Sequence, residues 1–189
     1  VQMGTIEFHG WGSKVKDIEK PDRLVFDLDP DEGLGFDAVK KAARDLKRHL
    51  ADMGLQTFPL LTGGKGLHIV VPLTPKAEWP AVKDFANRFA LALTEAEPER
   101  FTATMSKAKR KGRIFLDWLR NQRGATAIMP YSARAREGAT VSAPINWDEL
   151  DEVKSGGRFT VKDAETLLER ASGRILQGWG EAAQGLPDL

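Results

Sequence analysis

The stretch Arg23-Leu24-Val25-Phe26-Asp27-Leu28-Asp29 is an apolar run that closes on two carboxylates and is followed by Pro30. Its composition predicts a largely buried β-strand, which should end at Pro30 because proline has no N–H to donate to a ladder. Residues two apart on a strand point to the same face, so Asp27 and Asp29 should project side by side. The stretch therefore predicts a core strand that carries a carboxylate pair at its end.

Hydrophobic spacing predicts further elements on both sides of this stretch. Strands are expected at 5–9, 56–61, 67–71, 113–117 and, as a short one, 127–131. Helices are expected at 36–53, closed by Gly54, at 82–93 and at 161–171. Several connections are short enough for hairpins. We therefore expect an α+β domain with a mixed or antiparallel central sheet flanked by helices.

Bulk composition narrows the class of protein. The 189 residues suit one domain, and 28 Lys and Arg against 27 Asp and Glu leave the net charge uninformative about partners. Eight acids lie within 1–35 and seven basic residues within 107–123, clusters that suit metal ions and phosphates respectively. The absence of cysteine excludes disulfides and thiolate metal sites. With no long apolar run and no signal-like start, we expect a cytoplasmic protein without a membrane partner.

Aspartates at strand ends form the first candidate site. Asp27 and Asp29 would repel each other unless a cation lies between them, and Mg²⁺ and Mn²⁺ prefer oxygen ligands. Asp117 also ends an apolar strand, so carboxylates from two strand ends could hold two metal ions, as in in-line nucleotidyl transfer. The alternative is structural, because Asp-Pro can begin a turn and Asp117 can cap the turn after its strand.

The stretch 62–68, with the sequence TGGKGLH, forms the second candidate site. Its glycines allow backbone N–H groups to turn toward an anion, while its threonine, lysine and histidine add donors and charge. It is not a Walker A loop, because its lysine is followed by glycine and a strand, not a helix, comes next. A glycine-rich hairpin turn without a ligand is the alternative. The candidate phosphate-binding residues are Thr62, Gly63, Gly64, Lys65 and His68.

Basic residues form the third candidate site. They comprise the run 107–111 together with Arg113, Arg120, Arg123, Arg134 and Arg136. Arginine suits bidentate contacts to phosphate, although a charge run is also typical of a solvated surface. His9 stands alone on its predicted strand and by itself indicates a structural residue more than a functional one.

The order of these motifs resembles the archaeo-eukaryotic primase superfamily: Asp-x-Asp after an apolar strand, a glycine-rich loop ending in His, then Asp on a third strand. The stretches 22–30, 63–68, 115–121 and 123–127 resemble the polymerase domain of the bacterial multifunctional ATP-dependent ligase, ligase D. The resemblance covers roughly residues 4–172. We therefore predict a primase-polymerase-like catalytic core at 1–172 and a C-terminal tail or linker at 173–189.

The resemblance implies a metal-dependent nucleotidyltransferase that adds NTPs or dNTPs to a DNA 3′-hydroxyl with two ions, Mn²⁺ or Mg²⁺. It implies gap filling and end extension in non-homologous end joining at the bacterial nucleoid. Expected partners are primer–template DNA or DNA ends, the end-binding protein Ku and, usually, a fused ligase domain.

The resemblance also implies residue roles. The metal ligands would be Asp27, Asp29 and Asp117. The nucleotide would be held by Thr62, Gly63, Gly64, Lys65, His68, Arg120 and Arg134, the last on the distal phosphates. Arg110 would lie near the reacting end, and His9 would line the site beside the metals.

Two departures from the family pattern affect these expectations. Thr62 occupies a position that is usually Ser, and its retained hydroxyl should be tolerated. The family has a segment before the His9 strand that recognises the 5′-phosphate of a DNA end and the templating base. That segment is not in this sequence, so we expect either a trimmed fragment or a short relative that handles DNA differently. A metal-dependent nucleotide phosphohydrolase and a non-catalytic DNA-end-binding remnant stay open as other classes.

Overall fold

The computed structural model describes residues 3–187, and within that range strands and helices alternate along the chain. The strands are β1 (His9–Gly10), β2 (Ser13–Lys14), β3 (Asp17–Pro21), β4 (Arg23–Pro30), β5 (Phe58–Leu61), β6 (Leu67–Pro72), β7 (Phe101–Thr102), β8 (Ile114–Asp117), β9 (Ala127–Ile128) and β10 (Ala143–Pro144). The α-helices are α1 (Phe36–Asp52), α2 (Trp79–Ala96) and α3 (Ala164–Ser172). Within 3–187, no helix is both long and apolar enough to cross a membrane.

A mixed sheet organises these elements. Over the described residues, six strands pair in the order β10-β5-β6-β4-β8-β7. Neighbours are antiparallel except β7 and β8, which run parallel. The central β4 pairs with β6 over Arg23–Leu28 and with β8 over Asp27–Pro30. The predicted α+β class, with a mixed sheet flanked by helices, is confirmed.

Alternation along β4 separates the core from the site. Leu24, Phe26 and Leu28 are fully buried in the main core, which includes the apolar sides of α1 and α2. Burying a side chain of this size contributes about 2 kcal/mol. Val25 points the other way, into a small cluster with neighbouring strands, and Asp27 and Asp29 follow it in the same alternation. The helices thus cover one face of the sheet and leave the carboxylates on the other.

The two long helices form where apolar spacing predicted them. In α1, buried residues recur every three or four positions, at Val39, Ala43, Leu46 and Leu50 among others. The helix ends before Gly54, whose φ of +79° is a left-handed conformation that favours glycine. The prediction that Gly54 ends this helix is therefore confirmed.

The predicted N-terminal strand at 5–9 is largely wrong, since only His9 lies in a strand. The backbone N–H of Phe8 donates to Ser132 Oγ at 2.8 Å and is not available to a strand partner. Other predicted strands are shorter than expected: 56–61 begins at Phe58, and 127–131 shrinks to Ala127–Ile128. The last predicted helix opens as a 3₁₀ turn, Val161–Asp163, before α3.

The segment after α3 packs against the sheet. Trp179 Nε1 lies 3.2 Å from the carbonyl oxygens of Pro59 and of Ile145, and its ring lies 5.8 Å from that of Phe58. Gln184 Nε2 donates to the carbonyl oxygens of Gln56 and Pro72 at 2.9 Å and 2.8 Å. These contacts favour a docked tail, while the division at 172 stays a prediction.

Candidate active site

The strand register places Asp27 between candidate residues on both neighbouring strands. Asp27 lies opposite His68 of β6 and opposite Asp117 of β8. His68 Nε2 is 3.4 Å from Asp27 Oδ2. Asp29 lies two residues further along β4 on the same face. Residues predicted from separate sequence motifs therefore meet on one face of three adjacent strands.

Two arginines form ion pairs with these aspartates. Arg120 spans two of them, with Nη2 3.5 Å from Asp27 Oδ2 and Nε 3.2 Å from Asp117 Oδ2. Arg110 Nη1 lies 2.9 Å from Asp29 Oδ2. The resemblance placed Arg120 on the nucleotide and Arg110 near the reacting end, and these ion pairs were not foreseen because charge partners on distant segments leave no local signal.

The two adjacent carboxylates differ in pKa. Burial raises the pKa of Asp117, and the charge of Asp27 adds to the rise while Arg120 opposes it. Burial also disfavours ionisation of Asp27, but the charges and hydrogen bonds of His68 and Arg120 prevail and hold its pKa below the usual value. The two neighbouring carboxylates thus differ in how readily they ionise, and a divalent cation between them would favour the ionised form of both.

The turn that carries Arg120 is held to β4 by Asn121, which is buried. Asn121 Oδ1 accepts the Val25 N–H at 2.7 Å, and Nδ2 donates to the Val25 carbonyl at 2.8 Å and the Trp118 carbonyl at 2.9 Å. This amide completes the edge of β4 where pairing with β8 has not yet begun. Sequence reasoning missed Asn121, because its partner Val25 lies 96 residues away.

The loop between β5 and β6 is shaped by its own hydrogen bonds. Thr62 Oγ1 donates to the Gly66 carbonyl at 3.0 Å and accepts the Gly64 N–H at 3.2 Å. Lys65 Nζ lies 3.4 Å from Asp29 Oδ1 and so connects the loop to the carboxylates. The threonine hydroxyl therefore has a structural role whether or not it also contacts a phosphate.

Two arginines lie directly on this loop. A Cβ at Gly63 would lie 2.7 Å from Arg134 Cγ, and one at Gly64 would lie 2.8 Å from Arg136 Nη1. Arg134 Nη1 also donates to the Thr62 carbonyl at 2.5 Å. Glycine is required at Gly63, whose φ is +72° and whose Cβ would also press on the Val141 backbone, whereas the contact at Gly64 is with the flexible end of Arg136. The sequence placed Arg136 only among the basic residues suited to phosphate and assigned it no individual contact.

Glu7 connects two predicted site residues. Its Oε1 accepts from Arg134 Nε at 3.1 Å and from the Ala135 N–H at 2.8 Å, and its Oε2 lies 3.1 Å from His9 Nε2. The hydrogen bond to His9, then those to Ala135 and Arg134, lower the pKa of Glu7 to about 2. Sequence reasoning missed Glu7, whose partners Arg134 and Ala135 lie 127 and 128 residues away.

A cleft of about 220 Å³ lies among these groups. It is lined by His9, Asp27, Asp29, Thr62, Gly64, Lys65, Gly66, His68, Arg120, Ile128, Arg134 and Arg136. Of the predicted site residues, Asp117, Arg110 and Gly63 do not line it directly. A larger cavity of about 470 Å³, beside α1 and α2, has Glu97 as its single carboxylate within the described residues.

The aspartates fit a divalent metal by their chemistry, since Mg²⁺ and Mn²⁺ take carboxylate oxygens. Within 3–187, however, no three Asp, Glu or His side chains stand in a ready-made metal cluster. Asp27 and Asp29 instead pair with basic side chains. Asp27 pairs with His68 and Arg120, and Asp29 pairs with Lys65 and Arg110. A metal would have to replace these partners, and ligation by Asp27, Asp29 and Asp117 stays a prediction.

Comparison with known proteins shows which proteins this chain is similar to. A family model described as LigD, primase-polymerase domain, matches residues 1–175. A multifunctional non-homologous end joining protein LigD of Pseudomonas aeruginosa is 41% identical over 173 residues, which are 92% of this chain and 21% of the relative. One from Mycolicibacterium smegmatis is 40% identical over 151 residues, 79% of this chain and 20% of the relative. The chain thus spans about a fifth of the length of these curated relatives.

A solved structure shares the fold. The polymerase domain of Mycobacterium tuberculosis ligase D, determined in complex with DNA, matches with a TM-score of 0.76 and 38% sequence identity. The match covers 87% of this chain and 57% of that chain.

Proposed function

Because the chain belongs to the LigD primase-polymerase domain family, we propose that it is a metal-dependent nucleotidyltransferase that adds ribo- or deoxyribonucleotides to a DNA 3′-hydroxyl. The proposal includes gap filling and end extension in non-homologous end joining, the process named for the curated relatives. DNA as substrate is supported by the solved relative, which binds DNA. Ku and a ligase domain are the proposed partners.

One observation carries the proposal: the carboxylates, the glycine-rich loop and the arginines surround a single cleft. A metal-dependent polymerase needs acidic groups next to a phosphate-binding surface, because the reaction brings metal ions and a triphosphate together. A protein that only bound nucleic acid would gain nothing from clustered acids near phosphate. The opposed charges of this cleft therefore favour catalysis over simple binding.

The proposed reaction is an in-line displacement. The 3′-hydroxyl oxygen forms a bond to the α-phosphorus, the bond to pyrophosphate breaks, and the hydroxyl proton passes to solvent. Two Mg²⁺ or Mn²⁺ ions, held by Asp27, Asp29 and Asp117, would supply the charge that activates the hydroxyl and stabilises pyrophosphate. Catalysis by the chain itself consists of positioning and charge neutralisation.

The basic side chains of the cleft would hold the triphosphate. Lys65 would present its ammonium group to phosphate oxygens, with the backbone N–H groups of Lys65 and Gly66 as further donors, because those of Gly63 and Gly64 already donate to Gly156 and Thr62. Arg134 and Arg136, which lie on that loop, would neutralise the distal phosphates. Arg120 and His68 now pair with Asp27 and would be free to contact phosphate once the carboxylates have other partners.

Primer extension tests the proposal. A labelled primer–template is incubated with the chain, Mn²⁺ and each ribonucleotide, and Asp27→Asn is compared with Asp37→Asn, whose side chain is exposed on α1. We expect Asp27→Asn to lose about 10³-fold or more in extension rate, because it removes a charge needed in the transition state, and Asp37→Asn to keep the wild-type rate.

Other outcomes of this assay would point elsewhere. Full extension by folded Asp27→Asn would exclude the assigned role. Nucleotide hydrolysis without extension would indicate a phosphohydrolase that uses the same carboxylates to activate water. Salt-sensitive DNA binding without any metal-dependent activity would indicate a non-catalytic DNA-binding module.

A further inference from the structure

The glycine-rich loop at 62–66 rests against a second turn at 155–158 that contributes no residue to the cleft lining within the described chain. The Gly63 N–H donates to the Gly156 carbonyl at 2.9 Å. On the same side, Thr140 Oγ1 donates to the Gly63 carbonyl. Hydrogen bonds to Thr140 and Gly156, both far from the loop in sequence, therefore fix the position of the loop backbone at Gly63.

Gly156 makes the closest contact in this support. A Cβ on Gly156 would lie 2.6 Å from the carbonyl oxygens of both Gly64 and Gly66, which are backbone atoms that cannot rotate away. Its neighbour Gly157 differs, because a Cβ there would first meet Thr140 Cγ2, a side-chain atom, at 3.1 Å. Gly156 has no positive φ, so the requirement for glycine comes from proximity to the loop and not from backbone conformation.

We propose that Gly156 is a positioning residue for nucleotide binding, acting by fixing the place of the Gly64–Gly66 backbone beside the cleft. Any side chain at this position would push the Gly64–Gly66 backbone away from the turn and so displace the loop that lines the cleft. This inference rests on the proposed function, in which the loop holds the triphosphate. It assigns part of the phosphate site to a segment about ninety residues further along the chain than the loop.

The test is Gly156→Ala in the full 189-residue chain. Dissociation constants for GTP and for inorganic tripolyphosphate, each with Mn²⁺, are measured by calorimetry, and melting temperature is recorded alongside. We expect both constants to rise about tenfold or more, since small misplacements of a binding group carry losses of that order. Tripolyphosphate has no base or ribose, so a loss shared by both ligands assigns the defect to the phosphate contacts.

Two matched variants separate positioning from general destabilisation. Gly157→Ala adds the same methyl group to the same turn but first meets the Thr140 side chain, which can give way, so both constants should rise clearly less than in Gly156→Ala. Gly173→Ala introduces a comparable clash elsewhere, because its Cβ would lie 2.8 Å from the Glu169 carbonyl. It should lower the melting temperature and leave both dissociation constants unchanged.

Each outcome decides the proposal. Binding by folded Gly156→Ala equal to that of Gly157→Ala overturns it. If Gly156→Ala does not fold, Thr140→Val decides instead, because it removes the hydrogen bond to Gly63 without adding bulk. A rise of a few fold in both constants supports the positioning role, and unchanged constants overturn it. A wild-type chain that binds neither ligand overturns the proposed function itself and this inference with it.

Discussion

Replacing Arg134 should weaken nucleotide binding more than it slows the chemical step. It lies on the glycine-rich loop, donates to the Thr62 carbonyl and forms its ion pair with Glu7 and not with an aspartate predicted to bind metal. We expect Arg134→Ala to raise the nucleotide KM about tenfold with a smaller change in kcat, the effect of losing one charge-assisted hydrogen bond. Steady-state extension kinetics measure both, with Arg88→Ala on α2 as control. An unchanged KM would exclude the assigned role.

The lowered pKa of Glu7 predicts that the stability of the folded chain depends on pH. Its pKa is lowered from 4.5 to about 2 in the folded chain. A group with a depressed folded pKa contributes stability above its unfolded pKa, and this contribution is lost as pH falls toward the folded value. Glu7→Gln should therefore flatten the decline of melting temperature between about pH 4.5 and pH 2. A decline as steep as in wild type would contradict the hydrogen bonds of Glu7.

Glu7→Gln should also affect nucleotide binding. The amide keeps the shape of the side chain but removes the charge that holds Arg134 Nε. A rise of about threefold in nucleotide KM, smaller than that of Arg134→Ala, is expected because the arginine loses an orienting partner and keeps its own charge.

At the scale of elements, the turn after β8 depends on Asn121. Asn121→Ala would leave the buried N–H and carbonyl of Val25 without their partner. We expect the free energy of unfolding to fall by about 2 kcal/mol, the cost of leaving such groups unpaired, and extension to weaken because the turn carries Arg120. Urea denaturation measures the first effect, with Gln122→Ala as control. A loss no greater than that control would show that the amide bonds contribute little.

Elements with strong periodicity were predictable, and those held by side chains were not. The sequence pattern of β4, an apolar run, and that of α1 and α2, a regular spacing of buried residues, each extend over many residues and so predict the element. The segment before His9 alternates like a strand, yet its backbone bonds go to Ser132 Oγ and to Met129. Local alternation carries no information on how far the pairing with a partner strand extends, and here β1 and β9 pair over two residues only, which is why this prediction failed.

The tail offers a test at the scale of the whole molecule. Trp179 joins the end of the chain to β5 through its ring and its indole N–H. Trp179→Ala should lower the free energy of unfolding by about 2 kcal/mol, less than a fully buried tryptophan because the residue is only partly buried. Trp11→Ala, at a side chain that is largely exposed, should change it little. Equal melting temperatures for the two variants would contradict a docked tail.

Many residues that line the cleft were predictable from local motifs, whereas the contacts among them were not. Asp27, Asp29, Lys65 and His68 stand in local motifs, and the cleft brings them together. The pairing of Arg110 with Asp29 and the contact of Gly156 with the loop join segments far apart in sequence. Only the folded chain brings such partners together, so no spacing rule could reveal them.

Asp27 of β4 and Asp117 of β8 are directly paired in the sheet, which limits the insertions and deletions that this domain can accept during evolution. Deleting one residue within β8 would rotate the remaining strand by half a period, bringing Leu116 to the cleft and Asp117 to the helix-covered side. Removing two residues would keep the alternation and shift the carboxylate along the strand. Homologues should therefore tolerate length variation in the loops around these strands, while single-residue gaps inside them should be purged.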